Sequence, residues 1–213
     1  MRYAAGMDHR HDRIERHFDA RAARYHNPLT DFMGECELRV IRAFVPEGSR
    51  VLDYGCGSGR TAIDHLRRGC AVTAYDVSRE MLALAERRAR ALELAAEFVA
   101  DASALEGRRW PLVTCVGVLD YYVDPQPLLA ALRTHVEPGG RLVVTWPNSR
   151  SPLGQAYRAA SALFTLAAHP RSAARARGAC GGAGLRVDEL AYAAPQVRGL
   201  AHTLVLALSP EAG

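Results

Sequence analysis

Lysine is absent from this chain: all 27 basic side chains are arginine, set against 23 acids for a formal net charge of +4. Using one cation throughout reads as the mark of GC-rich coding, so the arginine count does not by itself point to nucleic acid. No stretch reaches the roughly 18 apolar residues that a membrane span requires, and the opening residues lack the apolar core of a signal peptide. Cysteine is sparse as well. Its five positions, 36, 56, 70, 115 and 180, show none of the short paired spacings that metal or redox sites use. These absences predict a cytoplasmic protein with free thiols, no bound metal and no transmembrane segment. What is present, 213 residues of which 49% are hydrophobic and 23% charged, suits one large domain with its own core.

The chain is organised around Arg50-Val51-Leu52-Asp53-Tyr54-Gly55-Cys56-Gly57-Ser58-Gly59-Arg60, an apolar strand entering a glycine-rich turn, with Thr61 to Arg68 following as an amphipathic helix. A strand, turn and helix of this kind is expected to aim free backbone N–H groups and the positive end of a helix dipole into one crevice at the sheet edge. A dinucleotide site asks for Gly-x-Gly-x-x-Gly. Here the glycines fall at 55, 57 and 59 and position 60 is Arg, so that pattern fails at its third glycine. The stretch Asp53-x-Gly55-x-Gly57-x-Gly59 instead resembles motif I of the class I S-adenosylmethionine-dependent methyltransferases. That cofactor carries an ammonium and a sulfonium but no phosphate, so its turn needs an acid and close backbone approach more than an anion cradle.

The rest of the chain extends the resemblance over roughly residues 12–208. Ala71 to Tyr75 is a second apolar run, and the carboxylate that ends it, Asp76, is placed to accept from both ribose hydroxyls of an adenosine; Ser78 is free to cap the helix that follows. A third run ends at Asp101, which by resemblance meets the adenine amino group, with Ala102 supplying backbone beside the ring. The resemblance also implies cofactor contacts from Asp53, Gly55, Cys56, Gly57, Gly59, Val77, Met81 and Val116. Leu112 to Val118 is an unalternating apolar run, as in a strand buried on both faces. Pro138-Gly139-Gly140 is expected to turn into strand five, and Leu185–Ala191 and His202–Leu208 to form the antiparallel last pair. The fold class implied is α/β: a Rossmann-like, doubly wound, seven-stranded sheet, mostly parallel with an antiparallel last strand, and helices on both faces.

Residues 1–11 are expected to be disordered, 12–45 to form N-terminal helices broken at Asn27-Pro28, and 209–213 to be a tail. His17-Phe18-Asp19-Ala20-Arg21-Ala22-Ala23-Arg24-Tyr25 resembles the Phe-Asp-x-x-Ala-x-x-Tyr helix that closes over the cofactor in many small-molecule methyltransferases, which brings Tyr25 to the cofactor. Residues 147–177 read as an insertion, with a helix over Gln155–Ala168. No acid occurs between Glu137 and Asp188, whereas seven arginines do. The segment is either a cap over an anionic or membrane-held acceptor or a solvated face written in arginine codons.

The expected activity is methyl transfer to the O or N atom of a small molecule, by in-line displacement in which positioning carries most of the rate. A hydroxyl acceptor needs a base; Asp120, Tyr121, His17 and His26 are the candidates. A non-catalytic binder of the same cofactor is the alternative. A nucleic-acid methyltransferase fits less well, because no Asn/Asp-Pro-Pro-aromatic motif follows strand four. The assembly is expected to be a monomer or homodimer acting on a small molecule, without specific nucleic acid.

Overall fold

The computed structural model describes residues 5–20, 28–163, 166–194 and 200–211. The apolar runs are strands: β1 (Arg50–Tyr54), β2 (Ala71–Tyr75), β3 (Glu97–Val99), β4 (Trp110–Cys115), β5 (Val136–Pro147), β6 (Leu185–Ala193) and β7 (Thr203–Pro210). They form one sheet in the order β3-β2-β1-β4-β5-β7-β6. Every pairing from β3 to β5 is parallel, and β7 lies antiparallel to both of its neighbours. The connected helices are α1 (Ala5–Asp19), α2 (Pro28–Ile41), α3 (Arg60–Arg67), α4 (Arg79–Arg90), α5 (Gln126–Thr134), α6 (Pro152–Ala162) and α7 (Ala173–Gly182).

Because side chains alternate along a strand, each run of buried residues feeds two cores. Val51, Leu112, Val143 and Val205 face α2, α3 and α4, burying Ile41, Ile63, Leu66 and Ala85. Leu52, Val113, Leu142 and Leu206 face the other way, onto Leu128, Leu129 and Leu132 of α5 and Ala176 and Cys180 of α7. The strand order turns back at β1, whose partners are β2 on one side and β4 on the other. Ligand crevices open at such a point, beyond the carboxyl ends of the strands.

Three expectations change. Helix α1 begins at Ala5, so residues 5–11, expected to be disordered, are helical; a polar run offering only Gly6 as a breaker extends a helix once its amphipathic part has nucleated. The described part ends at Asp19, and Tyr25 and His26 lie outside the described residues. Strand β5 already starts at Val136, so Pro138-Gly139-Gly140 is a bulge within the strand, where the register against β4 shifts between Trp110 and Leu112. The cap is also smaller than expected. α6 ends at Ala162, and residues 173–177 belong to α7, whose small side chains let it lie close on the sheet with Ala176, Ala179 and Cys180 buried.

Candidate active site

The glycine spacing has a conformational cause. Gly55, Gly57 and Gly59 all have positive φ, +75°, +54° and +84°, a region closed to most side chains. Their surroundings differ. A Cβ at Gly55 would stand 2.4 Å from Val118 Cγ2, and one at Gly59 2.9 Å from the Ala85 Cβ, whereas at Gly57 it would meet only Met81 Cε at 3.5 Å. Gly59 is thus a packing glycine that lets α3 approach α4, and Gly57 is the one that leaves space to a cavity.

The turn's amides are not free, contrary to the expectation from sequence. Gly55 and Cys56 both donate to the Tyr75 carbonyl, at 2.8 and 2.9 Å. Gly57 donates to Asp76 Oδ2 at 2.7 Å, and Gly59 to the Cys56 carbonyl at 2.9 Å. The turn is knitted to β2 and to itself, so it is not built to cradle a phosphate. Acidity takes the place of the anion cradle. Asp76 lines the cavity with Oδ1 held by the Ser78 amide at 2.9 Å, and burial, aided by the nearby Asp19, pushes its carboxyl up to about 6 against those two amide hydrogen bonds.

Around Asp76 the cavity gathers Gly55, Cys56, Gly57, Val77, Met81, Val116 and Tyr121 from the residues read in the sequence. It adds others that spacing did not single out. Tyr54 and Tyr75, partners in register at the ends of β1 and β2, stack with ring centroids 4.6 Å apart and form one wall. Gly117, Val118 and Tyr122 line the β4 side, while Ile14 and Phe18 of α1 roof it. Arg60, read only as an interruption of a dinucleotide motif, also lines it; its guanidinium is paired with Glu37 at 2.8 Å.

Several expected residues stand elsewhere. Asp53 is buried beneath the turn, bonded by the Thr114 hydroxyl at 2.7 Å. Burial pushes its carboxyl up to about 7, partly offset by Thr114, so its part is to tie β1 to β4. Asp101 is exposed and caps the turn after β3 through the Ser103 amide at 2.9 Å; neither it nor Ala102 is among the lining residues. His17 packs edge-on against Phe18 at 5.2 Å and is likewise outside the lining.

Asp120 sits directly behind the cavity wall. It is 1% exposed, in the short turn Leu119–Tyr121 that follows β4. The Tyr157 hydroxyl of α6 donates to its Oδ2 at 3.1 Å, and Oδ1 has no hydrogen-bond partner among the described residues. Burial pushes the carboxyl up to about 6, against the pull of Tyr157. Tyr157 is also hydrogen-bonded to Tyr121, and burial with the adjacent Asp120 holds its phenol well above the usual range. Tyr121, Tyr157 and Asp120 therefore form a line of hydroxyl, hydroxyl and carboxylate leading away from the cavity. Tyr157 escaped the sequence reading because only the fold brings α6 beside β4.

Comparison with known proteins agrees with this geometry. Residues 25–190 match the family described as "Methyltransferase domain". Among curated relatives, the ubiquinone biosynthesis O-methyltransferase of Alkalilimnicola ehrlichii is 30% identical over 176 residues, 76% of this chain and 69% of that protein. The enzyme of the same name from Aeromonas salmonicida is 36% identical over 111 residues, 49% of this chain and 45% of its own length. Among solved structures, the magnesium protoporphyrin IX methyltransferase of Synechocystis with bound SAH aligns over 95% of this chain and all of that one, with a TM-score of 0.73 at 18% identity. The mitomycin 7-O-methyltransferase aligns over 84% of this chain and 54% of that one, with a TM-score of 0.71 at 17% identity. At such identities the solved structures speak for the fold.

Proposed function

The chain belongs to the methyltransferase-domain family and is an S-adenosylmethionine-dependent methyltransferase, and from that premise we propose that it methylates a hydroxyl oxygen of a small molecule. One observation carries the cofactor half of this reading. The glycine turn has its Gly55, Cys56, Gly57 and Gly59 amides tied up and offers the cavity a buried carboxylate, an acceptor that fits a ligand with a diol and positive charge and disfavours a phosphate. Bound there, S-adenosylmethionine supplies an electrophilic methyl carbon. Asp76 accepts from the ribose hydroxyls, Gly57 leaves room for the ligand beside Met81, and Tyr54, Tyr75, Val77 and Val116 enclose apolar surface.

The acceptor then occupies the space beyond β4, against Tyr121. When its hydroxyl reacts, the proton passes to the Tyr121 oxygen while Tyr121 gives its own to Tyr157 and Tyr157 gives its own to Asp120. Asp120 ends protonated and both tyrosines are restored. A carboxylate held near 6 is ionised at neutral pH yet basic enough for this task. The oxygen acceptor is supported by the relatives of this chain, among them O-methyltransferases of ubiquinone biosynthesis. Free thiols at all five cysteines fit a cytoplasmic location, and among the described residues no helix is long and apolar enough to cross a membrane.

Calorimetry tests the reading. S-adenosylhomocysteine should bind in the micromolar range, and Asp76→Ala should weaken it by about 1.5 to 3 kcal/mol, the loss expected when charge-assisted hydrogen bonds go unmade. Transfer of labelled methyl groups to a panel of phenols, alcohols and amines should give an O-methyl product. Binding without turnover on any acceptor would make the chain a non-catalytic binder, and full binding by the variant would remove Asp76 from the site.

A further inference from the structure

Outside the cofactor cavity the molecule has a second concavity, a cleft of about 400 Å³ lined by Val123, His169, Pro170 and three arginines, Arg158, Arg171 and Arg175. It begins one residue after Tyr122, which lines the cofactor cavity. No carboxylate lines it. Arg158 comes from α6, Arg171 from the strap before α7, and Arg175 from the first turn of α7, so three separate positions converge on one hollow.

Coding bias would scatter arginines without regard to partners, and the acid-free interval between Glu137 and Asp188 shows otherwise. Arg141 and Arg186, near its two ends, reach acids in β6, namely Glu189 at 4.0 Å and Asp188 at 2.8 Å. The three in the cleft have no ion-pair partner among the described residues. Arg171 is anchored by a bond from its Nη2 to the Val123 carbonyl at 2.7 Å, which fixes the guanidinium, yet its buried Nε has no hydrogen-bond partner. Asp124 acts on Arg171 at a distance, while its own Oδ1 accepts from the Gln126 amide at the start of α5. The start of α7 is already capped by the Ser172 hydroxyl, so the claim of this cleft to a ligand rests on its side chains and not on the helix terminus. A guanidinium anchored at one nitrogen, flanked by two more guanidiniums from other positions, is the donor set that recognises a multidentate oxyanion.

We propose that this cleft binds a phosphoryl or carboxylate group, and that the group belongs to the methyl acceptor, held there while its hydroxyl lies against Tyr121. The binding claim stands on the cleft alone; assigning the anion to the acceptor rests on the acceptor placement proposed above.

The test uses the full chain and inorganic pyrophosphate as the probe, titrated calorimetrically at constant ionic strength with chloride as the competing anion, and S-adenosylhomocysteine titrated in parallel. Pyrophosphate should bind, and Arg158→Gln/Arg175→Gln should weaken it about tenfold or more, as expected when charged donors are lost, while S-adenosylhomocysteine binds as before. Co-sedimentation with vesicles of phosphatidylglycerol and phosphatidylcholine in equal parts identifies the source. Binding to these vesicles that the double variant loses assigns the oxyanion to a lipid headgroup, and pyrophosphate binding without vesicle binding assigns it to a soluble acceptor. The site is overturned if neither probe binds, or if the folded double variant binds both unchanged. Failure of the cofactor reading would show instead as loss of S-adenosylhomocysteine binding by the wild-type chain.

Discussion

The two halves of the ligand crevice are built on different plans. Beyond β1 and β2, the cofactor side is made by residues close together in sequence: a turn of alternate glycines, a carboxylate ending the next strand, and two tyrosines in matched register. Beyond β4, the proposed acceptor side draws on residues brought from far apart, with Asp120 after β4, Tyr157 on α6 and, in the neighbouring cleft, three arginines from two helices and a strap. The first half depends on backbone conformation and close approach, and the second on side chains that share buried space. A single substitution should therefore act in an all-or-none way on the cofactor side and in a graded, pH-dependent way on the acceptor side.

The sharpest way to break this comparison is Gly57→Val. Its φ of +54° and the open space next to Met81 mean that the side chain enters the cavity and not the core. Affinity for S-adenosylhomocysteine should fall by more than about a hundredfold, roughly 3 kcal/mol, in a protein whose circular dichroism remains that of the wild type. Loss of the folded spectrum would instead make Gly57 a folding residue, as Gly59 is by its contact with Ala85.

Asp120→Asn should be nearly as severe but confined to the rate. A proton acceptor in position contributes about a hundredfold or more, so kcat should drop by that order while S-adenosylhomocysteine affinity stays the same. The sign with pH follows from the raised carboxyl. Asp120 must be ionised to act, so wild-type kcat at saturating cofactor should rise with pH through about 6 and level off above it, and the variant should lose that limb. A limb that survives would place the titration on another group.

Tyr157→Phe should also lower kcat, because it removes the middle hydroxyl of the relay, and it adds a shift in the pH dependence. The Tyr157 hydroxyl lowers the Asp120 pKa, so its removal should move the rising limb to higher pH, with cofactor affinity within about threefold, or roughly 0.7 kcal/mol. A limb that does not move would mean that Tyr157 and Asp120 are not coupled in the reacting enzyme.

The same division decides what could be read from the sequence. The sheet, the glycine turn and Asp76 were legible because strand periodicity and positive-φ glycines are local demands that leave a local trace. Asp53 was misplaced because sequence shows that an acid precedes the turn but not that it points down towards Thr114. The amides at Gly55 and Cys56 seemed free because their acceptor, the Tyr75 carbonyl, is a backbone atom twenty residues further along, and no side-chain pattern records it. Residues 173–177 read in sequence as the end of a cap because α7, made of small residues and arginines, shows no clear amphipathic stripe even though Ala176 and Ala179 are buried. The arginine-rich stretch reads in sequence either as a cap or as a solvated face written in arginine codons, and the fold adds that Arg141 and Arg186 reach acids while Arg158, Arg171 and Arg175 line a cleft.

Ser78 joins events that would otherwise be separate. Its hydroxyl caps α4 at the Met81 amide and is itself held by Asp19 at the end of α1, while its amide holds Asp76. The helix that brings Ile14 and Phe18 over the cavity is thus latched through the residue that positions the Asp76 carboxylate, and Asp19 and Asp76 repel across it. With α1 over the cavity these two carboxylates stand near each other, so the cavity favours a positively charged ligand over a neutral one. Methyl transfer removes such a charge, since a sulfonium becomes a neutral thioether.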